Sequence, residues 1–144
     1  MAIIITRFGL FVVIAALIVL GVTGNLFSTS PFVILAQLLA VALAVWARTS
    51  FPAGAFRVGA TPAATTVIRS GPYRLVRHPM YSAALILIWS AVLSHLGAWT
   101  LGLGVIVTTV VALRIVLEER ALRQQFGDYD AYVRETRAVI PYLI

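Results

Sequence analysis

Two long stretches of the chain carry no formal charge: the 40 residues between Arg7 and Arg48, and the 36 between Arg77 and Arg114. A helix that crosses a bilayer needs roughly 20 apolar residues, so each stretch predicts two helices joined by a tight turn. The breaks are readable. In the first stretch Gly24, Asn25, Ser28, Ser30 and Pro31 gather the residue types that cap and break helices, and in the second Ser94, His95 and Gly97 do the same. The expected spans are 3–22, 31–47, 80–94 and 98–117. The fold class expected is all-α: a polytopic membrane protein with about four transmembrane helices, in a single domain over 1–144, with a cytoplasmic loop and a C-terminal helix beside them.

Composition supports the same picture. Of 144 residues 61% are apolar and only 11% charged, far from the quarter or so of charged residues in soluble domains, and the mean hydropathy is +1.00. Such a chain is not intrinsically disordered. With no cysteine at all it is neither a disulfide-stapled domain nor a thiol enzyme. The net charge of +6 comes from eleven arginines against five acids, with no lysine. In a soluble protein that balance would suggest nucleic acid; here topology accounts for it, and no nucleic-acid partner is expected. Arginines flank the apolar stretches at Arg7, at Arg48, Arg57, Arg69, Arg74 and Arg77, and from Arg114 onward, while the two turns have none. By the positive-inside rule the arginine-bearing loop and both termini face the cytoplasm, with the inner membrane of a bacterium or archaeon as the expected location. A secretory signal peptide is the other reading of the first stretch, but no small-residue cleavage motif follows it.

Chemistry must therefore lie in the segments 48–77 and 118–144. The first ends in the densest motif of the chain, Gly71-Pro72-Tyr73 and then Arg77-His78-Pro79-Met80-Tyr81. Pro79 suits the first turn of a helix, which places Arg77 and His78 at a helix N-terminus on the membrane face. That is a ready site for a carboxylate or phosphate. Arg57, Arg69 and Arg74 are accounted for by anionic lipid headgroups. In the second segment Arg114 and Glu118 are one helical turn apart, as are Glu119 and Arg123. Ionisable groups where an apolar helix reaches the interface are functional candidates, and Glu118 and Glu119 point in different directions around the helix. Gly127 is a candidate helix end. Tyr129 and Tyr132 suit either a wall for a flat aromatic ligand or an interfacial aromatic belt.

Taken together, Gly71-Pro72-Tyr73, Arg77-His78-Pro79-x-Tyr81, Glu118-Glu119-x-x-Leu122, Phe126-Gly127, Tyr129, Tyr132 and Ile140-Pro141 resemble, in order and spacing over 67–142, the integral-membrane methyltransferases of the isoprenylcysteine carboxyl methyltransferase and phospholipid methyltransferase superfamily. The resemblance implies S-adenosylmethionine as methyl donor and S-adenosylhomocysteine as product, bound without a Rossmann fold between the helix start at 77–81 and the double-glutamate helix end. It implies cofactor contacts from His78, Pro79, Tyr81, Glu118, Glu119, Tyr129 and Tyr132, and catalytic roles for Arg77, nearest the methyl acceptor, and Glu118. No metal is expected. The acceptor implied is a lipophilic small molecule or a lipidated group entering from the bilayer, with membrane lipids as the other partners.

Methyl transfer needs alignment and exclusion of water more than strong acid–base catalysis. A carboxylate acceptor would be oriented by Arg77, whereas an amine or thiol would need a base, with Glu118 or His78 the candidates. The chain departs from the pattern at Ala83, where the family usually has glycine, and at Arg134-Glu135-Thr136-Arg137, which replaces the Arg-Val-Pro of eukaryotic prenylcysteine enzymes. The stretch from Gly127 to the tyrosines is also one residue shorter, so prenylcysteine specificity does not carry over. Two non-enzymatic readings compete. A small four-helix transporter would need an ionisable group deep in a span, which the apolar stretches lack apart from His95 in a turn. A lipid-binding adaptor would leave the paired glutamates without a role.

Overall fold

In a computed structural model, the structure describes residues 2–51 and 67–140, with side chains from Gly9 onward. Arg57, Pro141 and Tyr142 lie outside the described residues. The helices are α1 (Ala2–Val22), α2 (Pro31–Thr49), α3 (Pro79–Ser94), α4 (Ala98–Gln125) and the short α5 (Tyr129–Glu135), with a single 3-10 turn at Gly71–Arg74. No strand forms among the described residues; one isolated parallel bridge joins Val76 and Arg137.

Helix ends follow local chemistry. Gly24 takes a left-handed φ of 72°, which lets its N–H reach the carbonyl of Gly21 at 3.1 Å and the N–H of Asn25 reach that of Leu20 at 2.8 Å. This double closure ends α1 in a Schellman cap. Gln37, buried in α2, then donates to the Leu26 carbonyl at 2.7 Å and fastens the turn. Pro31 and Pro79 occupy the first turns of α2 and α3, where a missing N–H costs nothing. Thr100 accepts from the Gly97 N–H at 3.0 Å and donates to the His95 carbonyl at 2.8 Å, closing the α3–α4 turn. At the other end, α4 stops at Gln125, with Phe126 as its cap before Gly127. Phe126 is the extended cap residue, its ring joins a buried cluster with Tyr129 and Tyr132, and among the described glycines only Gly24 and Gly71 are left-handed. Gly127 follows directly on that cap, where the sequence predicts the helix end, but it does so without the left-handed φ of Gly24.

The four apolar helices stand where the charge pattern predicts, but the expectation of four spans is met only in part. Among the described residues α2 and α4 are long and apolar enough to cross a membrane. The 16-residue α3 and the Gly9–Val22 part of α1 fall short of that length. Large apolar side chains such as Phe32, Leu35, Leu38 and Leu39 on α2 remain exposed, as expected of surface that faces lipid rather than water.

Packing does not follow chain order. α2 packs chiefly on α3 and α1 on α4, while α3 touches all three. The core between α1, α3 and α4 is built from Val13, Ala16, Leu20, Ile88, Ala91, Val92, Val107, Val111 and Ile115. Ala40 and Ala47 of α2 and Ala83 of α3 are all buried. Alanine at 83 is therefore accommodated inside the bundle. At 1.5 Å per residue the 28 residues of α4 extend about 42 Å, beyond the roughly 30 Å of bilayer hydrocarbon. Its last turns, carrying Glu118 to Gln125, meet the start of α3 and α5, while the 3-10 turn sits on α2.

Candidate functional site

The site begins with a turn that only glycine allows. Gly71 has a φ of +58°, and a Cβ there would run into the Ser50 hydroxyl and lie 3.2 Å from the Trp46 indole nitrogen. The 3-10 turn thus sits tightly on the end of α2, and it delivers Tyr73 to the interior, edge-on to Phe51 at 5.3 Å. The chain then runs through Val76, Arg77 and His78 into α3. Here the C-terminal segment lies alongside. The Arg77 N–H donates to the Arg137 carbonyl at 2.7 Å, the His78 N–H to that of Ala138 at 3.0 Å, and the Arg137 N–H to that of Leu75 at 3.1 Å. Ser82 donates to the Val139 carbonyl at 2.5 Å.

The two glutamates of α4 face this turn with different fates. Glu119 accepts from Arg77 Nε at 2.8 Å and Arg123 Nη2 at 3.3 Å, with His78 Nε2 at 3.4 Å; its side chain is 11% exposed. Glu118 accepts from the Tyr81 phenol at 2.7 Å, lies 3.9 Å from His78 Nδ1, and keeps 19% of its side chain exposed. His78 thus stands between both carboxylates, one ring nitrogen towards each, with its ring stacked on Tyr81 at 5.5 Å. Of the two, only the Nε2 contact to Glu119 is within hydrogen-bond distance. Arg114, also buried, places its guanidinium 5.4 Å from the centre of the Tyr81 ring. Glu118 and Arg114 therefore meet at the same phenol, and the Glu119–Arg123 pair forms across one helical turn as the spacing predicts.

Arg77 is turned inward. Besides Glu119 it donates from Nη1 to the Thr136 carbonyl at 2.6 Å and to that of Val133 at 3.3 Å, the carbonyls that end α5. Tyr129 and Tyr132 are buried and pack edge to face at 5.8 Å, which is not the placement of an interfacial belt. Guanidinium groups cover both: Arg69 lies 5.4 Å from the Tyr132 ring and Arg123 5.9 Å from that of Tyr129. Burial pushes the Tyr132 phenol up to about 12, against the pull of Arg77 and Arg69, and raises those of Tyr73 and Tyr129 as well. All three stay protonated donors. Tyr132 donates to the Tyr73 carbonyl at 2.6 Å. The Tyr129 hydroxyl, on a residue only 1% exposed, has no hydrogen-bond partner among the described residues. A cleft of about 220 Å³ opens between Arg69, Arg74, Tyr132, Glu135 and Thr136.

A sequence model of phospholipid methyltransferases matches residues 32–129. The chain belongs to the phospholipid methyltransferase family. That family is one of membrane methyltransferases, and the two apolar helices long enough to span agree with its membrane setting. The cobalt-zinc-cadmium resistance protein CzcN of Cupriavidus metallidurans is 38% identical over 86 residues, 54% of this chain and 37% of that protein. The chain thus spans well under half the length of the curated relative it matches. No solved structure matches.

Of the residues expected to form the site, Arg77, His78, Tyr81, Glu118 and Glu119 come together in one network; Pro79 begins the helix that carries Tyr81, and Tyr129 and Tyr132 lie in the neighbouring cluster with Phe126. Three further participants carried little sequence signal. Thr136 and Val139 act through backbone carbonyls, which any residue supplies. Gly9 of α1 lies against Arg114, a contact between residues 105 positions apart. The pairs Arg114–Glu118 and Glu119–Arg123 at helical spacing were the one hint that more of α4 takes part.

Proposed function

We propose that this protein is an S-adenosylmethionine-dependent methyltransferase acting on a lipophilic acceptor at the cytoplasmic face of the membrane. The observation that carries the reading is the unequal use of the two glutamates. Glu119 has three partners inside the protein, whereas Glu118 has one strong hydrogen bond and an exposed edge. An ionised carboxylate has room for about four hydrogen bonds, so Glu118 is free to accept the ammonium or hydroxyl groups of a ligand.

The orphaned Tyr129 hydroxyl fits as well. A buried hydroxyl without a partner costs about 1–3 kcal/mol, and a polar ligand atom would remove that cost. The polar groups Glu118, Tyr81, His78 and Tyr129 are of the kinds that would hold the ammonium, carboxylate and hydroxyl groups of S-adenosylmethionine. When bound, the cofactor supplies a sulfonium-activated methyl group. The protein's own part is to hold Glu118 at a fixed angle through Tyr81 and to keep His78 oriented between the carboxylates. It also shields the centre from water with the Phe126, Tyr129 and Tyr132 cluster. For an amine acceptor, such as a phospholipid headgroup, or for a thiol, Glu118 or His78 takes up the proton; a carboxylate acceptor has no proton to remove. The Arg134–Arg137 stretch argues against prenylcysteine as that acceptor.

Titration calorimetry of the detergent-purified protein with S-adenosylhomocysteine tests the reading. Saturable binding is expected, lost in Glu118→Gln while the thermal midpoint holds, because glutamine still accepts from Tyr81. Equal affinity in wild type and Glu118→Gln would remove Glu118 from the site.

A further inference from the structure

The first helix lies outside the stretch matched by the family, yet it reaches the centre. A Cβ at Gly9 would stand 3.1 Å from Cδ and 3.6 Å from Nη1 of Arg114, and 3.5 Å from the Val110 side chain. The bare backbone of α1 is therefore the wall against which the stem of Arg114 lies. Arg114 is buried at 6% exposure, and its head sits by the Tyr81 ring. The Tyr81 phenol holds Glu118 at 2.7 Å. Gly9, Arg114, Tyr81 and Glu118 form one continuous line of contact from α1 through α4 and α3 back to α4.

A cation beside a desolvated aromatic ring attracts it and polarises its O–H, which strengthens the hydrogen bond to a carboxylate. A buried arginine inside an apolar bundle is retained for a reason of this kind. We infer that Arg114 is a positioning residue for Glu118, acting through Tyr81, and that Gly9 is the notch that keeps it in place, so the first helix sets the affinity of the site for its cofactor. The affinity clause rests on the proposed function; the positioning of Tyr81 does not.

Gly9→Ala is the informative variant. Alanine favours a helix over glycine, so the fold is not weakened, while the added methyl must push Arg114 aside. Arg114→Lys keeps the charge and removes the planar head. Gly102→Ala on α4, where a Cβ meets nothing within 4 Å, is the control. In micelles without ligand, the ring-carbon resonance of Tyr81, assigned with Tyr81→Phe, is expected to shift in Gly9→Ala and Arg114→Lys and to stay in place in Gly102→Ala. Affinity for S-adenosylhomocysteine falls about tenfold in the first two, the size of one desolvated cation–π contact. The double variant is no weaker than Arg114→Lys alone, because both act through one contact. An unmoved Tyr81 resonance in Gly9→Ala overturns the positioning, and so do fully additive losses. Absence of binding in wild type overturns the cofactor reading instead, with the resonance still deciding the role of Arg114.

Discussion

Replacing Arg77 with alanine separates two roles that its place beside His78 allows: a brace inside the protein, or a hand that orients the methyl acceptor. The guanidinium is 9% exposed and joins Glu119 on α4 to the Thr136 and Val133 carbonyls that end α5. Breaking a buried ion pair by removing one partner costs about 3–5 kcal/mol. The low end applies to the pair itself, since Glu119 keeps Arg123 and His78. The carbonyls at the end of α5 lose their donor as well, a further cost of about 1 kcal/mol that is not additive with the first. A total of about 3 kcal/mol, at roughly 3 °C per kcal/mol for a chain this long, predicts a fall in the thermal midpoint of about 10 °C. Tryptophan fluorescence melting in detergent measures it. Arg74→Ala is the reference: Arg74 is exposed, has no ion pair among the described residues, and should cost less than about 0.5 kcal/mol. If Arg77→Ala melts with the wild type while methyl transfer is lost, the brace is wrong and the arginine serves the acceptor.

Two other outcomes are expected. Gly71→Ala forces an L-residue into a left-handed backbone and drives a methyl into Ser50, so it should destabilise the protein by about 1–3 kcal/mol in the same melting assay, whereas Gly127→Ala, with nothing within 4 Å, should not. Ser82→Ala removes the tie to the Val139 carbonyl; amide hydrogen exchange over 136–139 should quicken several-fold, as for the loss of one hydrogen bond of about 1 kcal/mol, with little change in the bundle helices.

Much of the helical layout was legible because it depends on short-range chemistry. Apolar runs of span length, Gly24 and Asn25 at one turn, and Pro31 and Pro79 at helix starts are decided within a few residues. The same holds for the Glu119–Arg123 pair, which is set by helical spacing alone. What escaped the sequence depends on contacts between distant segments. Arg77 finds its partners 42 to 59 residues away, through carbonyls that leave no mark on residue type. Tyr129 and Tyr132 read more readily as an interfacial belt than as a wall, and the fold instead buries them against Phe126 and Leu122. The end of α4 beside Gly127 was legible locally, whereas the clustering of Phe126 with Tyr129 and Tyr132 was not. The pairing of α2 with α3, rather than with the α1 that precedes it, has no sequence signature in helices that are apolar all round.

The length of α4 couples the candidate chemistry to the lipid around it. One unbroken helix carries both the apolar side chains exposed along its shaft and, about 42 Å from end to end, the glutamates at its tip. A thinner or thicker bilayer changes how such a rod leans, and the rod has no joint at which the change can be absorbed before it reaches Glu118. His78 and Tyr81 hang from α3, which is 16 residues long and too short to lean in the same way. The two halves of the candidate site are thus carried by helices of very different length, joined there through side chains such as Tyr81–Glu118 and Arg77–Glu119.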